Sequence, residues 1–431
     1  METRRPDGLW MFAVVVAFVP IVAVVALGPD QAAPVASCDV LASLALPNGT
    51  ITGAEAIEAG AFVPPMRPGR SMSAGQRRQF EALPAFCRVT ATLTPSSDSE
   101  IKVKVWMPAT GWNGKMHAVG NGAFTGSHRY GSARSLASGL ERGYATASTD
   151  TGHEGGSASF ALGHPEKVID FGWRAVHEMT VTAKQVIAAF YGSGPEYSYW
   201  YGCSAGGRQA MMEAQRFPGD YDGIIAGAPG NDWTGRAAGS LRIANYLGAH
   251  EDAGLSAAKV ELVRMAVLEA CDAADGVIDK VVGDPERCDF DPAVLQCSGA
   301  DNGSCLTAAQ VNTVKMLYSS PENPKTGRAI TGVLPGSESN WTDLGWTRSA
   351  RASGLDQYRY LVYGDPEWTV DRFDFGTDIV RAEETDGGTL NALDPDLRPF
   401  FDRGGKLLAY HGWSDAQISP LNATQYYERV V

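Results

Sequence analysis

Ser204 lies between Gly202 and Gly206 in the stretch GCSAGG, which matches the G-x-S-x-G pattern of hydrolases with a nucleophilic serine. Such a serine occupies a strained turn between a strand and a helix, where bulky neighbours would collide with the backbone. With 49 glycines in 431 residues the pattern alone is weak, and an ordinary structural turn is the alternative. The apolar strand pattern before it and the helix pattern after it favour Ser204 as a catalytic nucleophile.

The candidate acid is Asp415, in the loop HGWSDAQISP that follows the last apolar run of the sequence. In hydrolases of this kind the acid comes after the serine in chain order, which favours a catalytic role for Asp415. The alternative is an ordinary turn, because Gly, Ser and Asp are common turn residues. An activated serine would attack a carbonyl carbon, and free N–H groups at the start of the next helix would stabilise the oxyanion.

The elements around these residues predict an α/β fold. Short apolar strands alternate with helix patterns from residue 101 to residue 227, which implies parallel strands with helices across them. From about residue 233 to residue 393 the pattern changes to helices and loops rich in Asp, Gly and Pro, and KLLAYHG then predicts another buried strand. We therefore predict a sheet with a large inserted lid. The predicted division is 1–36 for export, 37–235 and 395–431 for the core, and 236–394 for the lid.

Composition and the N-terminus indicate an exported protein that does not bind nucleic acid. The formal net charge of −13 would repel a phosphate backbone. Arg4 and Arg5 precede a long apolar run over residues 9–27, which is typical of a signal peptide. A retained membrane anchor is the alternative, and it would be the protein's contact with a membrane. The seven cysteines suggest disulfides in a secreted or periplasmic protein, and their odd number leaves one unpaired.

Three aspartates crowd one loop of the predicted lid, CDAADGVIDKVVGDPERC at 271–288. Asp272, Asp275 and Asp279 offer oxygen ligands and no soft donors, which suits Ca²⁺. Their spacing is not that of an EF-hand. On the pattern alone, a solvated acidic turn is an equal alternative.

Four segments together resemble the tannase and feruloyl esterase family: WNGKMHAVGNGAFTG, TDTGH, GCSAGGRQAMMEAQRFPGDYDGIIAGAPG and YHGWSDAQISP. The resemblance covers nearly all of the chain after the apolar N-terminus. It implies an α/β-hydrolase with a lid inserted before the strand that carries the acid. It also implies that Ser204 forms an acyl-enzyme and that Asp415 orients a catalytic histidine. The oxyanion hole would use the backbone N–H groups of Ala205 and Gly122, with Ala123 as the alternative to Gly122.

The same resemblance implies a structural calcium ion in the lid and a set of disulfides. The implied calcium ligands are the side chains of Asp272, Asp275 and Asp279 and the backbone carbonyls of Val277 and Val281. The implied disulfides are Cys38–Cys87, Cys271–Cys288 and Cys297–Cys305. Cys203, directly before the nucleophile, is then unpaired. In the family this cysteine is bonded to a cysteine that directly follows the catalytic histidine.

The sequence departs from the family at the base, because none of its seven histidines is followed by a cysteine. We expect the family's His-Cys pair in a segment beyond Val431. His411 and His153 are the alternatives near the site. Both precede the expected position, since in this fold the base follows the acid in chain order.

These observations predict an exported serine esterase that hydrolyses esters of aromatic (phenolic) acids, with a small aromatic ester as its partner. Trp346, Tyr358, Tyr360 and Trp368 are candidates for lining a pocket in the lid. One alternative is a catalytically impaired relative that binds phenolic esters without turnover. Another is a peptidase of the same fold.

Overall fold

The computed structural model describes residues 33–66, 71–341 and 352–431. The predicted export segment therefore lies largely outside the described residues. Just after it, the N–H of Val35 donates to the carbonyl of Phe190 (2.9 Å), so the first described residues are hydrogen-bonded to the folded part of the chain. Within the described ranges, no helix is both long and apolar enough to cross a bilayer.

One mixed β-sheet forms the centre of the fold. Its strands are β1 (Gly49–Ile57), β2 (Phe86–Leu93), β3 (Ile101–Pro108), β4 (Lys115–Val119), β5 (Ala145–Thr149), β6 (Tyr197–Cys203), β7 (Gly223–Gly227) and β8 (Lys406–Tyr410). Their order across the sheet is β1-β2-β3-β5-β4-β6-β7-β8. The pairs among β1, β2, β3 and β5 are antiparallel, and every pair from β5 to β8 is parallel. The predicted parallel sheet is confirmed over that half.

The α-helices surround the sheet and build the segment between β7 and β8. They are α1 (Ala74–Glu81), α2 (Leu136–Leu140), α3 (Pro165–Ile169), α4 (Ala175–Tyr191), α5 (Ala205–Arg216), α6 (Trp233–Ala249), α7 (Ala257–Cys271), α8 (Ala308–Tyr318), α9 (Ala352–Asp356), α10 (Asp378–Asp386), α11 (Arg398–Asp402) and α12 (Leu421–Val430). A π-helical turn, Asp170–Arg174, leads into α4. The helix predicted directly after Ser204 is thus α5.

The main core lies between the sheet and helices α4 and α5. Ile101, Val103 and Val105 are buried on β3 while the lysines between them are half-buried, as the alternating pattern predicts. Met179 and Ile187 of α4 pack against this face. The layer holds β6 and α5 in place, and the serine lies at their junction.

The last strand differs from its prediction. KLLAYHG reads as a buried strand, but β8 is mostly exposed, with Leu408 at 59% and Tyr410 at 43% exposure. The reason is topological, because among the described strands β8 has β7 as its single neighbour and forms an edge of the sheet. An apolar run alone does not distinguish a central strand from an edge strand.

The segment between β7 and β8, for which a lid is predicted, contributes nearly all the residues of two further hydrophobic clusters. The predicted boundary between residues 235 and 236 falls inside α6, which begins at Trp233. Tyr358 and Trp368 are fully buried, with ring centroids 5.4 Å apart, so they belong to the lid core and do not line an open pocket. Tyr360 is half-buried beside the cluster around Phe124. Trp346 lies outside the described residues.

Candidate active site

Ser204 occupies the turn between β6 and α5 with φ 64° and ψ −120°. A non-glycine residue at such angles costs about 1–3 kcal/mol and persists where the surrounding structure fixes it. The N–H of Ser204 donates to the carbonyl of Gly227 (3.0 Å), and its own carbonyl accepts from Gly230 (3.2 Å). The end of β7 therefore holds the serine in the strained conformation expected of a nucleophile.

The glycines around Ser204 are required by close backbone contacts. A Cβ atom on Gly202 would lie 2.1 Å from the carbonyl oxygen of Gly206, and one on Gly207 would lie 2.4 Å from that of Gly227. A Cβ on Gly206 would lie 3.0 Å from the carbonyl oxygen of Asn121. The first turn of α5 therefore packs directly against β7 and against the loop after β4.

That loop, residues 120–126, is held by the side chain of Asn121. Its Nδ2 donates to the carbonyls of Ser127 and Thr149, both at 3.0 Å. Its backbone N–H donates to Oε1 of Gln209 on α5 (3.0 Å). These bonds join the loop to the strand β5 and to the helix α5 that follows Ser204. No feature of a single sequence marks Asn121 and Gln209 as partners, because they are 88 positions apart.

The predicted oxyanion donors lie on these two neighbouring elements. Ala205 is the first residue of α5 and is buried, and Gly122 follows Asn121 in the loop. In the described part of the chain, the backbone N–H groups of Ala205 and Gly122 donate to no backbone carbonyl of a turn or loop. Ala123, the alternative to Gly122, adopts φ 46°. N–H groups at a helix start and in an adjoining loop can converge on one oxyanion.

Asp415 lies in the loop after β8, and its carboxylate is well bonded. Oδ1 accepts from the N–H groups of Gln417 (2.8 Å) and Ile418 (3.1 Å), and Oδ2 lies 3.3 Å from Nε2 of His411. Burial raises the pKa of Asp415, but the hydrogen bond from His411 and those from the backbone outweigh it, and the pKa is lowered. Asp415 is therefore an ionised carboxylate at neutral pH.

One cleft of about 410 Å³ brings Ser204 and Asp415 together, although 211 positions separate them in the sequence. Cys203, Asn340 and Ser414 also line it. The side chain of Ser204 has no hydrogen-bond partner among the described residues, which include all seven histidines. His411 instead contacts Asp415 and the carbonyl of Ile418 (3.0 Å).

The cysteines pair as predicted. The three disulfides are Cys38–Cys87, Cys271–Cys288 and Cys297–Cys305. Cys203 is the free cysteine of the described chain and is half-buried, directly before Ser204.

The acidic loop of the lid is only partly arranged as a ligand set. Asp272 is buried and accepts from the N–H groups of Asp279 (3.2 Å) and Lys280 (3.0 Å), and Asp275 accepts from that of Val277 (2.9 Å). Val277 and Val281 are exposed. The three carboxylates do not all lie within 4.8 Å of one another. The donor chemistry fits Ca²⁺, but the three carboxylates would have to come closer together to share one ion.

Among the described residues, the one group of three metal-binding types within that distance is Cys297, Asp301 and Cys305. Both of its cysteines are in a disulfide, so their sulfur atoms are not available as thiolate ligands. This group is therefore not a metal site.

A sheet that presents a serine on a strained strand-to-helix turn, with a carboxylate in the loop after a later strand, is the architecture of the α/β-hydrolases. Comparison with known proteins identifies the family within this fold. The family model described as "Tannase and feruloyl esterase" matches residues 87–431, which is most of the chain. The chain therefore belongs to the tannase and feruloyl esterase family, and it is a carboxylic ester hydrolase.

Individual relatives agree with this assignment. An uncharacterized esterase of Xanthomonas campestris pv. campestris is 39% identical over 416 residues, which cover 92% of this chain and 70% of that protein. Feruloyl esterase B of Aspergillus niger is 33% identical over 347 residues, covering 80% of this chain and 66% of the relative. The crystal structure of feruloyl esterase B from Aspergillus oryzae has a TM-score of 0.83 at 30% identity, covering 91% of this chain and 77% of that chain.

Proposed function

We propose that the protein is an exported serine esterase that hydrolyses esters of aromatic (phenolic) acids through an acyl-enzyme on Ser204. The observation that carries the proposal is the strained turn of Ser204 in a cleft that also contains Asp415. The similarity to feruloyl esterases supports an aromatic acid as the acyl part of the substrate.

In this mechanism Oγ of Ser204 attacks the ester carbonyl carbon while a histidine removes its proton. The N–H groups of Ala205 and Gly122 donate to the oxyanion of the tetrahedral intermediate. Collapse of that intermediate expels the alcohol, which takes the proton from the histidine. Water then attacks the acyl-enzyme by the same route and releases the acid. Asp415 orients the histidine and stabilises its charged form.

Trapping of the acyl-enzyme tests the proposal. The purified protein is mixed with methyl ferulate, quenched in acid and analysed by intact mass and peptide mapping. We expect a feruloyl adduct on the Ser204 peptide, and Ser204→Ala should lose the adduct and roughly 10⁴-fold or more of the hydrolysis rate. Binding of the ester without adduct or turnover would instead support a catalytically impaired relative. An adduct that persists in Ser204→Ala would overturn the role of this serine.

Export is part of the proposal. Three disulfides suit an oxidising compartment, which supports a secreted or periplasmic protein. Fractionation of the host cells, with non-reducing peptide maps of each fraction, tests this assignment. Disulfide-bonded protein confined to the cytosol would contradict it.

We also propose that the loop of the lid binds one structural calcium ion. The side chains of Asp272, Asp275 and Asp279 and the carbonyls of Val277 and Val281 would hold it. The disulfide Cys271–Cys288 joins the two ends of the loop covalently. The candidate oxygen ligands therefore have only a short way to move before they can share one ion. The ion would stabilise the lid and would take no part in acyl transfer.

A further inference from the structure

A small cavity of about 40 Å³ lies where the segment between β7 and β8 meets the loop that contains Asp415. Its walls include residues of α6, of α8 and of the loop after β8. Ala416 and Gln417 line both this cavity and the cleft that contains Ser204, but Ser204 does not line the cavity. One water molecule needs roughly 10–15 Å³ of such space, so the cavity has room for one small ion and not for an aromatic ester.

Arg242 of α6 lines this cavity and has no carboxylate partner in the described part of the chain. Its Nη2 donates to the carbonyl of Met316 (2.6 Å) and to Oγ of Ser319 (2.9 Å), which are both neutral acceptors. Burial lowers the pKa of Arg242 to about 10, so the guanidinium is still charged at neutral pH. Its Nε is enclosed, whereas Nη1 is not enclosed and donates to none of the described residues. Arg242 therefore has a positive charge without a counter-charge and a free donor.

The other polar side chains of the cavity are neutral donors or cations. The hydroxyl of Ser240 and the side-chain amide of Gln417 line it and donate to none of the described residues. Oδ1 of Asn422 accepts from the hydroxyl of Thr331 (2.7 Å), which leaves its amide nitrogen as a donor. Arg236 also lines the cavity, and none of the described residues that line it is an aspartate or a glutamate. This set of groups suits an anion.

We propose that the cavity binds one small monovalent anion of the halide class, with the guanidinium of Arg242 as its main partner. Buried charges in proteins are normally paired, because a charge removed from water without a partner is costly. The size of the cavity favours chloride over a carboxylic acid or a phosphate. The anion would join α6 and α8 to the loop that contains Asp415 and so stabilise their packing. The inference does not depend on the proposed esterase function, since the cavity is separate from the serine.

Melting temperatures in sodium chloride and in sodium gluconate at equal concentrations test the proposal. The two salts give the same ionic strength, but gluconate is too large for the cavity. We expect chloride to raise the melting temperature of the wild-type protein by about 1–2 °C over gluconate, and the rise to level off as the site fills. Arg242→Met keeps an unbranched apolar chain, removes the charge and should abolish the rise. Arg398→Met, at an exposed arginine paired with Asp396, is the matched control and should keep it.

Bromide gives a second test that does not require a variant. Bromide can take the place of chloride and scatters X-rays anomalously, so crystals of the wild-type protein grown in sodium bromide should show an anomalous peak in the cavity, beside Nη1 of Arg242. Equal melting temperatures of the wild-type protein in the two salts would overturn the site. A chloride-dependent rise that persists in Arg242→Met would do the same, and so would bromide peaks confined to the outer surface. None of these measurements involves ester hydrolysis, so they test the anion site alone.

Discussion

Nε2 of His153 lies 2.8 Å from the carbonyl oxygen of Phe124, so a buried imidazole after β5 joins the loop that follows β4. Burial is the main cause that lowers the pKa of His153, which keeps the ring neutral at neutral pH. The neutral ring donates from Nε2 to Phe124 while Nδ1 faces the hydroxyl of Thr151 (3.4 Å). His153 therefore does not contact Ser204. We infer that it instead holds in position the loop that contains Gly122.

Replacement of His153 tests this positioning role. His153→Leu removes the donor and should lower kcat by about tenfold or more with a smaller change in KM, since oxyanion donors act mainly in the transition state. Steady-state kinetics with methyl ferulate measure both constants. His164→Ala, at an exposed histidine paired with Asp98, is the control and should leave both constants unchanged. An unaltered kcat in His153→Leu would show that the loop keeps its position without this bond.

The contact between His411 and Asp415 predicts a shift in pH dependence. The hydrogen bond from His411 lowers the pKa of Asp415, so the carboxylate stays ionised in the folded protein until the pH falls through that lowered value. His411→Phe removes the bond, and the pKa of Asp415 should rise. The acid limb of kcat/KM should then move to higher pH, which a pH–rate profile of the two proteins measures. Coincident acid limbs would assign that limb to another group.

The buried carboxyl group of Glu213 on α5 predicts a loss of stability with rising pH. Its carboxyl is buried, and burial together with the neighbouring charge of Asp220 raises its pKa well above the ordinary value. A raised pKa in the folded state means that the stabilisation is complete at acid pH and is lost as the pH rises through that value. Glu213→Gln stays neutral, so its melting temperature should fall less between acid and neutral pH than that of the wild-type protein.

Thermal melts of both proteins across this range measure the difference. Glu269→Gln, at an exposed position of α7, should follow the wild-type curve. If Glu213→Gln also follows the wild-type curve, the free energy of unfolding does not depend on ionisation of Glu213.

The calcium proposal predicts a change in stability with metal. Excess Ca²⁺ should raise the melting temperature by a few degrees over protein in EDTA, because an ion that binds the folded state stabilises it by mass action. Asp279→Asn should reduce that shift. Asp289→Asn, at an exposed position just after the loop, should keep it. Equal melting temperatures with Ca²⁺ and with EDTA in the wild-type protein would contradict the site.

The parts of the fold that depend on local pattern are predictable from the sequence. The strands around β3 and the helices α4, α5 and α7 follow from apolar periodicity, because each element buries one face. The turn at Ser204 follows from its glycines, since the adjacent backbones leave no room for a side chain. The disulfide pairing is what the family resemblance implies, and the structure has the same three pairs.

Features that depend on distant contacts were not predictable. The bond between Asn121 and Gln209 joins residues with no shared sequence signal, and it depends on the packing of α5 against the loop. The burial of Tyr358 and Trp368 depends on how the lid helices pack together, which their periodicity does not specify. The exposure of β8 depends on sheet order, a property of the whole fold.

The exposed edge strand β8 has a consequence for handling the protein. The outer edge of such a strand carries backbone N–H and C=O groups that can pair with another polypeptide, and Leu408 and Tyr410 add an apolar surface beside them. Two copies of this chain brought together at these edges would extend each other's sheets. We therefore expect the edge of the described sheet to favour self-association at high concentration, and substitutions that place lysine on β8 offer a way to keep the chains apart.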